Sequence, residues 1–151
     1  MQKGMEMRRD AEKTETMRME IESRSENEEF ARVAAAVFLS RLDPTVEEMD
    51  DIKTAVSEAV TNAVIHGYGG REGTIYIEIE ICGREARITV RDEGIGIEDI
   101  RKAMEPMYTS DPSGERSGMG FSFMEAFMDQ VIVESEPGQG TSVIMKKTVG
   151  R

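Results

Sequence analysis

Apolar positions along the chain change period several times, and each change marks an element. Residues 17–24 alternate, with Met17, Met19 and Ile21 on one side, which predicts a short strand. Ser25 stands three residues before Glu28, the spacing of a capping box. A helix is predicted from there to about Leu42, burying Phe30, Val33, Ala34, Val37 and Phe38 as one apolar face. Asp43-Pro44-Thr45 breaks it. Thr45, three before Glu48, opens a second helix to about His66, with Ile52, Ala55, Val56, Ala59, Val60, Ala63 and Val64 as its buried stripe. Gly67-Tyr68-Gly69-Gly70 stops that helix. Residues 74–81 alternate strictly through Ile75, Ile77, Ile79 and Ile81. A turn at Cys82-Gly83-Arg84, followed by Ala86, Ile88 and Val90, predicts a hairpin. Further on come a glycine-rich turn at 92–96, a short helix at 98–104 and a long loop at 106–117. A helix at 119–128 and strands at 131–134 and 141–147 complete the chain.

This order predicts an α/β (α+β) two-layer sandwich: a mixed, mostly antiparallel sheet with helices on one face. Residues 1–16 are charged and aperiodic and are expected to form a mobile tail or extension. Residues 17–148 make one domain's worth of chain.

Composition narrows the function classes. Net charge is −11, from 19 basic against 30 acidic residues, so the surface repels phosphate backbones and direct nucleic-acid binding is not expected. A basic protein partner suits it better. A polyphosphate ligand would depend on local backbone N–H groups and a metal ion, against the global field. The single cysteine, Cys82, excludes an internal disulfide framework and a cysteine-cluster metal site. Together with the absence of a long apolar run, it points to a cytoplasmic chain that does not enter a membrane.

Three groups of residues could carry chemistry. Glu58, Asn62 and His66 recur every four residues on the second helix, so a carboxylate and a carboxamide share one face a turn apart. An Asn oxygen there could ligate Mg²⁺, and the Glu could accept a hydroxyl proton. Taken alone, a solvated helix face is the commoner source of this pattern. Asp92-Glu93-Gly94-Ile95-Gly96 follows a strand directly; its carboxylate could accept a hydrogen bond from an exocyclic amine such as that of adenine, or the segment is a plain turn. Arg116-Ser117-Gly118-Met119-Gly120 closes the long loop at a helix start, where unpaired N–H groups favour phosphate. His66 alone suits a helix C-terminus, Met119, Met124 and Met128 suit the core, and Cys82 suits an inert turn.

The order of these groups carries more than any one of them. Glu58-Ala-Val-Thr-Asn62-Ala resembles the N box of the GHKL ATPase/kinase superfamily. Asp92-Glu-Gly94-Ile-Gly96 resembles its first glycine box, Gly118-Met-Gly120 its second, and Gly138-Gln-Gly140-Thr141 its trailing Gly-Thr element. The strings SEAVTNAVIHGY, RDEGIGI, ERSGMGF and NEEFARVAAAVFLSRLDPT are similar, within that superfamily, to the anti-sigma F family of spore-forming bacteria.

That resemblance implies a Bergerat-type sandwich, binding of Mg-ATP, and a homodimer. It implies an anti-sigma factor that sequesters a sporulation sigma factor and phosphorylates a serine on an anti-anti-sigma factor. Carried over residue by residue, Glu58 would be the base and Asn62 the Mg²⁺ ligand. Asp92 would read adenine with support from Thr141, and Gly94 and Gly96 would admit the ring. Gly118 and Gly120 would hold phosphates with Arg116 near the γ-phosphate, under a lid at residues 104–117. Arg32 would face the partners. One departure is Asp111, where many relatives carry a lid lysine. Alternatives are a stress-response anti-sigma kinase of the same fold, a histidine-kinase-type ATPase domain, and a nucleotide-free binding module. His66 lies inside the site helix, against the histidine-kinase alternative. Glu58, Asn62 and Asp92, all intact, argue against a pure scaffold.

Overall fold

Glu15–Glu22 forms the first strand, β1, which opens two residues before the alternation at Met17. The computed structural model describes residues 14–105 and 120–150. Arg116, Gly118, Asp111, Met119, most of the expected lid and nearly all of the N-terminal tail therefore lie outside the described residues.

Helix α1 (Glu26–Leu39) turns a different face inward from the one its large apolar residues predict. Ala31, Ala35 and Leu39 are buried, whereas Phe30, Val33 and Val37 are 57%, 50% and 67% exposed. The chain carries two apolar stripes on this helix, and periodicity cannot choose between them. The alanine stripe wins because α1 packs on helix α2 (Val46–Asn62), which itself buries Ala55 and Ala59. Small side chains on both helices let the two backbones approach.

Of the two expected capping boxes, one forms. Thr45 is extended, its Oγ1 accepts the Glu48 N–H at 3.0 Å, and Glu48 Oε1 accepts the Thr45 N–H at 2.9 Å. Ser25 has helical dihedrals and makes no side-chain cap. Glu28 instead accepts the Ser57 hydroxyl of α2 at 2.5 Å. The second helix also ends earlier than His66. After Asn62 it widens into a π turn, Ala63–Gly67, closed by a Tyr68 N–H to Ala63 carbonyl bond of 2.9 Å.

Strands β2 (Thr74–Cys82) and β3 (Glu85–Asp92) form the predicted hairpin, with Cys82 exposed at its tip. A short helix, α3 (Ile100–Ala103), precedes the residues left out. Helix α4 (Gly120–Phe127) then leads to β4 (Gln130–Glu136) and β5 (Gly140–Thr148). The sheet order is β1-β2-β3-β5-β4, every pair antiparallel. Ile75, Ile77, Ile79, Ile88, Val90, Val143 and Met145 point to the helix layer and are buried, as are Met124 and Met128. The opposite face is polar over β1–β3, where Arg18 meets Glu78 at 2.6 Å and the Arg91 guanidinium lies 4.0 Å over the Tyr76 ring, and carries the Ile132–Ile144 pair on β4 and β5. The result is the predicted α/β two-layer sandwich with helices on one face, its sheet antiparallel throughout the described strands where a mixed one was expected. Past β5, Val149 N–H donates to the Arg84 carbonyl at 2.8 Å, and Gly150 N–H reaches the Glu48 carboxylate at 3.1 Å.

Candidate nucleotide site

Asp92 ends β3 directly opposite Thr141 of β5, and each is 3% exposed. The inward alternation that buries Ile88 and Val90 continues into Asp92, so the pleat itself turns a carboxylate toward the helix layer. Burial pushes its carboxyl above the usual carboxylate range. Backbone N–H groups of Gly94 and Thr141 and the Arg91 charge oppose that rise. The Gly94 N–H donates to Asp92 Oδ1 at 2.9 Å. The Gly94 and Thr141 N–H groups orient the carboxylate, and a carboxylate has further lone pairs that can accept from a ligand.

The glycines around it are required by backbone contacts. A Cβ at Gly67 would lie 2.8 Å from the Asp92 carboxyl carbon and Oδ2. One at Gly94 would run into the Gly67 carbonyl, and one at Gly96 into the Glu136 carbonyl, where φ is +79°. Ile95 N–H donates to the Gly67 carbonyl at 3.0 Å, and Gly138 N–H to the Ile95 carbonyl at 2.6 Å. These contacts clamp the 92–96 segment between the π turn and the β4–β5 hairpin. Thr141 is held in turn by Ser135, whose Oγ lies 2.8 Å from Thr141 Oγ1, 2.9 Å from the Gly140 carbonyl and 2.8 Å from the Ile97 N–H.

Glu58 and Asn62 are half-buried on α2, one turn apart, as their spacing requires. Helix α4 packs against α2. Its first residue, Gly120, comes so near that a Cβ there would lie 3.4 Å from Glu58 Oε1. The structure thus brings Gly120 to Glu58, one turn from Asn62 on α2, and sets Asp92 and Gly94 against Gly67 of the π turn, with Thr141 opposite Asp92 and Gly96 against Glu136. His66 lies within that turn. Sequence reasoning missed Gly67 and Ser135. Gly67 looked like a helix stop; the available signal for Ser135 was a polar residue continuing the inward row of Val131 and Val133.

Among the described residues no group of three or more His, Cys, Asp or Glu side chains could hold a metal ion, and no helix is long and apolar enough to cross a membrane. Mg²⁺ typically takes only one or two protein oxygens beside substrate phosphates and water, so a half-buried Asn62 next to Glu58 fits it.

Comparison with known proteins bears on the fold and the family. The family described as the histidine kinase-like ATPase domain matches residues 10–147. The chain is 61% identical over 132 residues to the anti-sigma F factor of Clostridium novyi, covering 87% of this chain and 92% of that one. It is 62% identical over 131 residues to the anti-sigma F factor of Clostridium acetobutylicum, again covering 87% and 92%. The crystal structure of the RsbU and RsbW domains of a Mycobacterium tuberculosis protein superposes with a TM-score of 0.65 at 19% identity, over 91% of this chain and 32% of that one. The catalytic domain of histidine kinase ThkA superposes with a TM-score of 0.56 at 19% identity, over 88% and 96%. Those two likenesses speak for the fold, and the clostridial relatives, matched over nearly their whole length, speak for the family: this chain belongs to the anti-sigma F factors and carries a histidine kinase-like ATPase domain.

Proposed function

We propose that the chain binds Mg-ATP between Asp92 and Gly120, sequesters a sporulation sigma factor, and phosphorylates a serine on an anti-anti-sigma factor. The observation that carries this reading is the placement of two different chemistries along α2. A buried acceptor, Asp92, meets Gly67 at its end, and a carboxylate, Glu58, meets the start of α4 nine residues earlier. At 1.5 Å per residue the four residues to Asn62 span about 6 Å, and the π turn Ala63–Gly67 lengthens this further, so a polyphosphate chain can lie beside it. Asp92 would accept the adenine amine with Thr141 beside it. Gly120, with Gly118 and Arg116, would hold the phosphates. Bound Mg²⁺, on Asn62, would neutralise phosphate charge.

Glu58 then has one task. The serine oxygen bonds to the γ-phosphorus, the bond from that phosphorus to the β–γ bridging oxygen breaks, and the serine proton passes to the Glu58 carboxylate. ADP leaves. Phosphoryl transfer needs mainly positioning and charge neutralisation, which this short set of residues supplies. Incubation with Mg-ATP and an anti-anti-sigma protein should yield phosphoserine on that protein by mass spectrometry. Sequestration with no phosphoserine would reduce the chain to a binding module.

Partner binding and assembly draw on α1. Its exposed Phe30, Val33 and Val37 form an apolar stripe of the kind that a homodimer contact would cover. Arg32, on the same helix, lies 3.8 Å from Glu28 and 3.9 Å from Glu29, with a side chain 36% exposed. Ion pairs this exposed contribute at most ~1 kcal/mol, so an acidic group on a partner can displace them. Arg32→Ala is expected to weaken both the sigma factor and the anti-anti-sigma protein by at least ~2 kcal/mol, with ATP affinity and folding unchanged. Calorimetry of both complexes checks this, and unchanged binding of both moves the partner surface away from α1.

A further inference from the structure

Tyr68 follows the π turn directly and is buried. Its hydroxyl accepts the backbone N–H of Glu93 at 2.8 Å and donates to the Thr74 carbonyl at 2.6 Å. Its ring fills the space against Gly73, where any Cβ would enter the ring. One phenol thus joins the end of α2, the start of β2 and the residue between Asp92 and Gly94. The preceding residue grips the same segment from the other side. The Gly67 carbonyl accepts the Ile95 N–H at 3.0 Å, and its Cα lies against the Asp92 carboxylate.

Residues 93–95 therefore hang on residues 67 and 68, and the orientation of Asp92 hangs on them in turn. Gly94 N–H holds Asp92 Oδ1 at 2.9 Å, so any displacement of the 93–94 peptide turns the carboxylate. The π turn matters here. Its extra residue per turn changes where the chain leaves the helix, and such turns recur at functional sites. A phenylalanine at 68 would keep the ring packed yet remove the partner of the Glu93 N–H, and an unpaired buried donor is costly.

We infer that Tyr68 is a positioning residue for base recognition: its hydroxyl sets the 92–94 segment so that Asp92 meets the amine of adenine and disfavours a base that presents a carbonyl there. The inference rests on the nucleotide reading given above and deepens it. Tyr76 supplies the control. Its hydroxyl meets the Glu93 side chain at 3.3 Å on the open face of the sheet, away from the peptide that Tyr68 holds.

Calorimetry of ATP and GTP with the wild-type chain, Tyr68→Phe and Tyr76→Phe tests it. Tyr68→Phe is expected to weaken ATP about tenfold and to narrow the preference for ATP over GTP. The rate of phosphoserine formation at saturating ATP should stay unchanged, and Tyr76→Phe should match the wild type. Equal weakening of both nucleotides, or none, overturns the inference and leaves the nucleotide reading intact. A wild-type chain that binds neither nucleotide overturns both. Amide hydrogen exchange on the wild type gives a check that no variant's folding can spoil. The Glu93 amide should be protected without nucleotide and better protected with ATP; fast exchange in both states overturns the inference.

Discussion

Asp92→Asn is expected to abolish ATP binding in a chain that still folds. The Gly94 N–H occupies Oδ1 and the Thr141 N–H also donates to this carboxyl, so an asparagine keeps its single oxygen toward the backbone donors and turns its NH₂ to the remaining position. That amide would face the adenine amine, donor against donor. The lost acceptor alone costs ~1–3 kcal/mol, and the unmatched donors add to it. Stability should move little or rise. Burial raises the carboxyl of Asp92 above its ordinary value, so the fold favours the neutral acid. Its contribution to stability is therefore present at low pH and lost as pH rises through that raised value. Where the group is ionised it is a cost to the empty fold, which asparagine removes. The same shift predicts a pH profile. ATP affinity of the wild type should decline on acidification from a pH above the usual carboxylate range, because the protonated acid loses acceptor capacity. Calorimetry from pH 4 to 8 with thermal melts of both forms checks each part. A folded Asp92→Asn chain with near-native affinity would remove Asp92 from the adenine site.

For Glu58→Gln the expected result is retained ATP binding with phosphoserine formation down ~10²–10⁴-fold. Glutamine keeps the size and hydrogen-bonding reach of the side chain beside Gly120 but cannot take the serine proton. Single-turnover transfer at saturating ATP measures the loss, and nucleotide affinity measured on the same sample separates it from binding. A fall of less than tenfold would leave positioning alone as the source of rate.

The two sides of the site were not equally legible in the sequence. Glu58 and Asn62 follow from spacing on one long helix, and Asp92 follows from a strand whose alternation runs straight into it. These are local periodicities, which survive folding unchanged. The face of α1 was misjudged because Phe30, Val33 and Val37 outrank Ala31 and Ala35 in size, while packing against α2 is decided by how closely two backbones approach. The capping box at Ser25 failed for a related reason: Glu28 is within reach of Ser57, a residue 29 positions away, and that competitor has no trace in local sequence. Gly67 and Tyr68 were seen as punctuation. Their contacts with residues 92–95 arise only when the π turn and the β3 end meet in space.

The sheet order has a consequence for the growing chain. β5 follows β4 in the chain, yet it lies inside the sheet between β3 and β4. Until it emerges from the ribosome, β3 presents an open edge with Ile88 and Val90 beside it, the kind of edge that recruits other strands. Asp92 meanwhile lacks Thr141, and the carboxylate capping α2 lacks Gly150. Closure of the sheet thus waits for β5, and the same step sets Thr141 opposite Asp92.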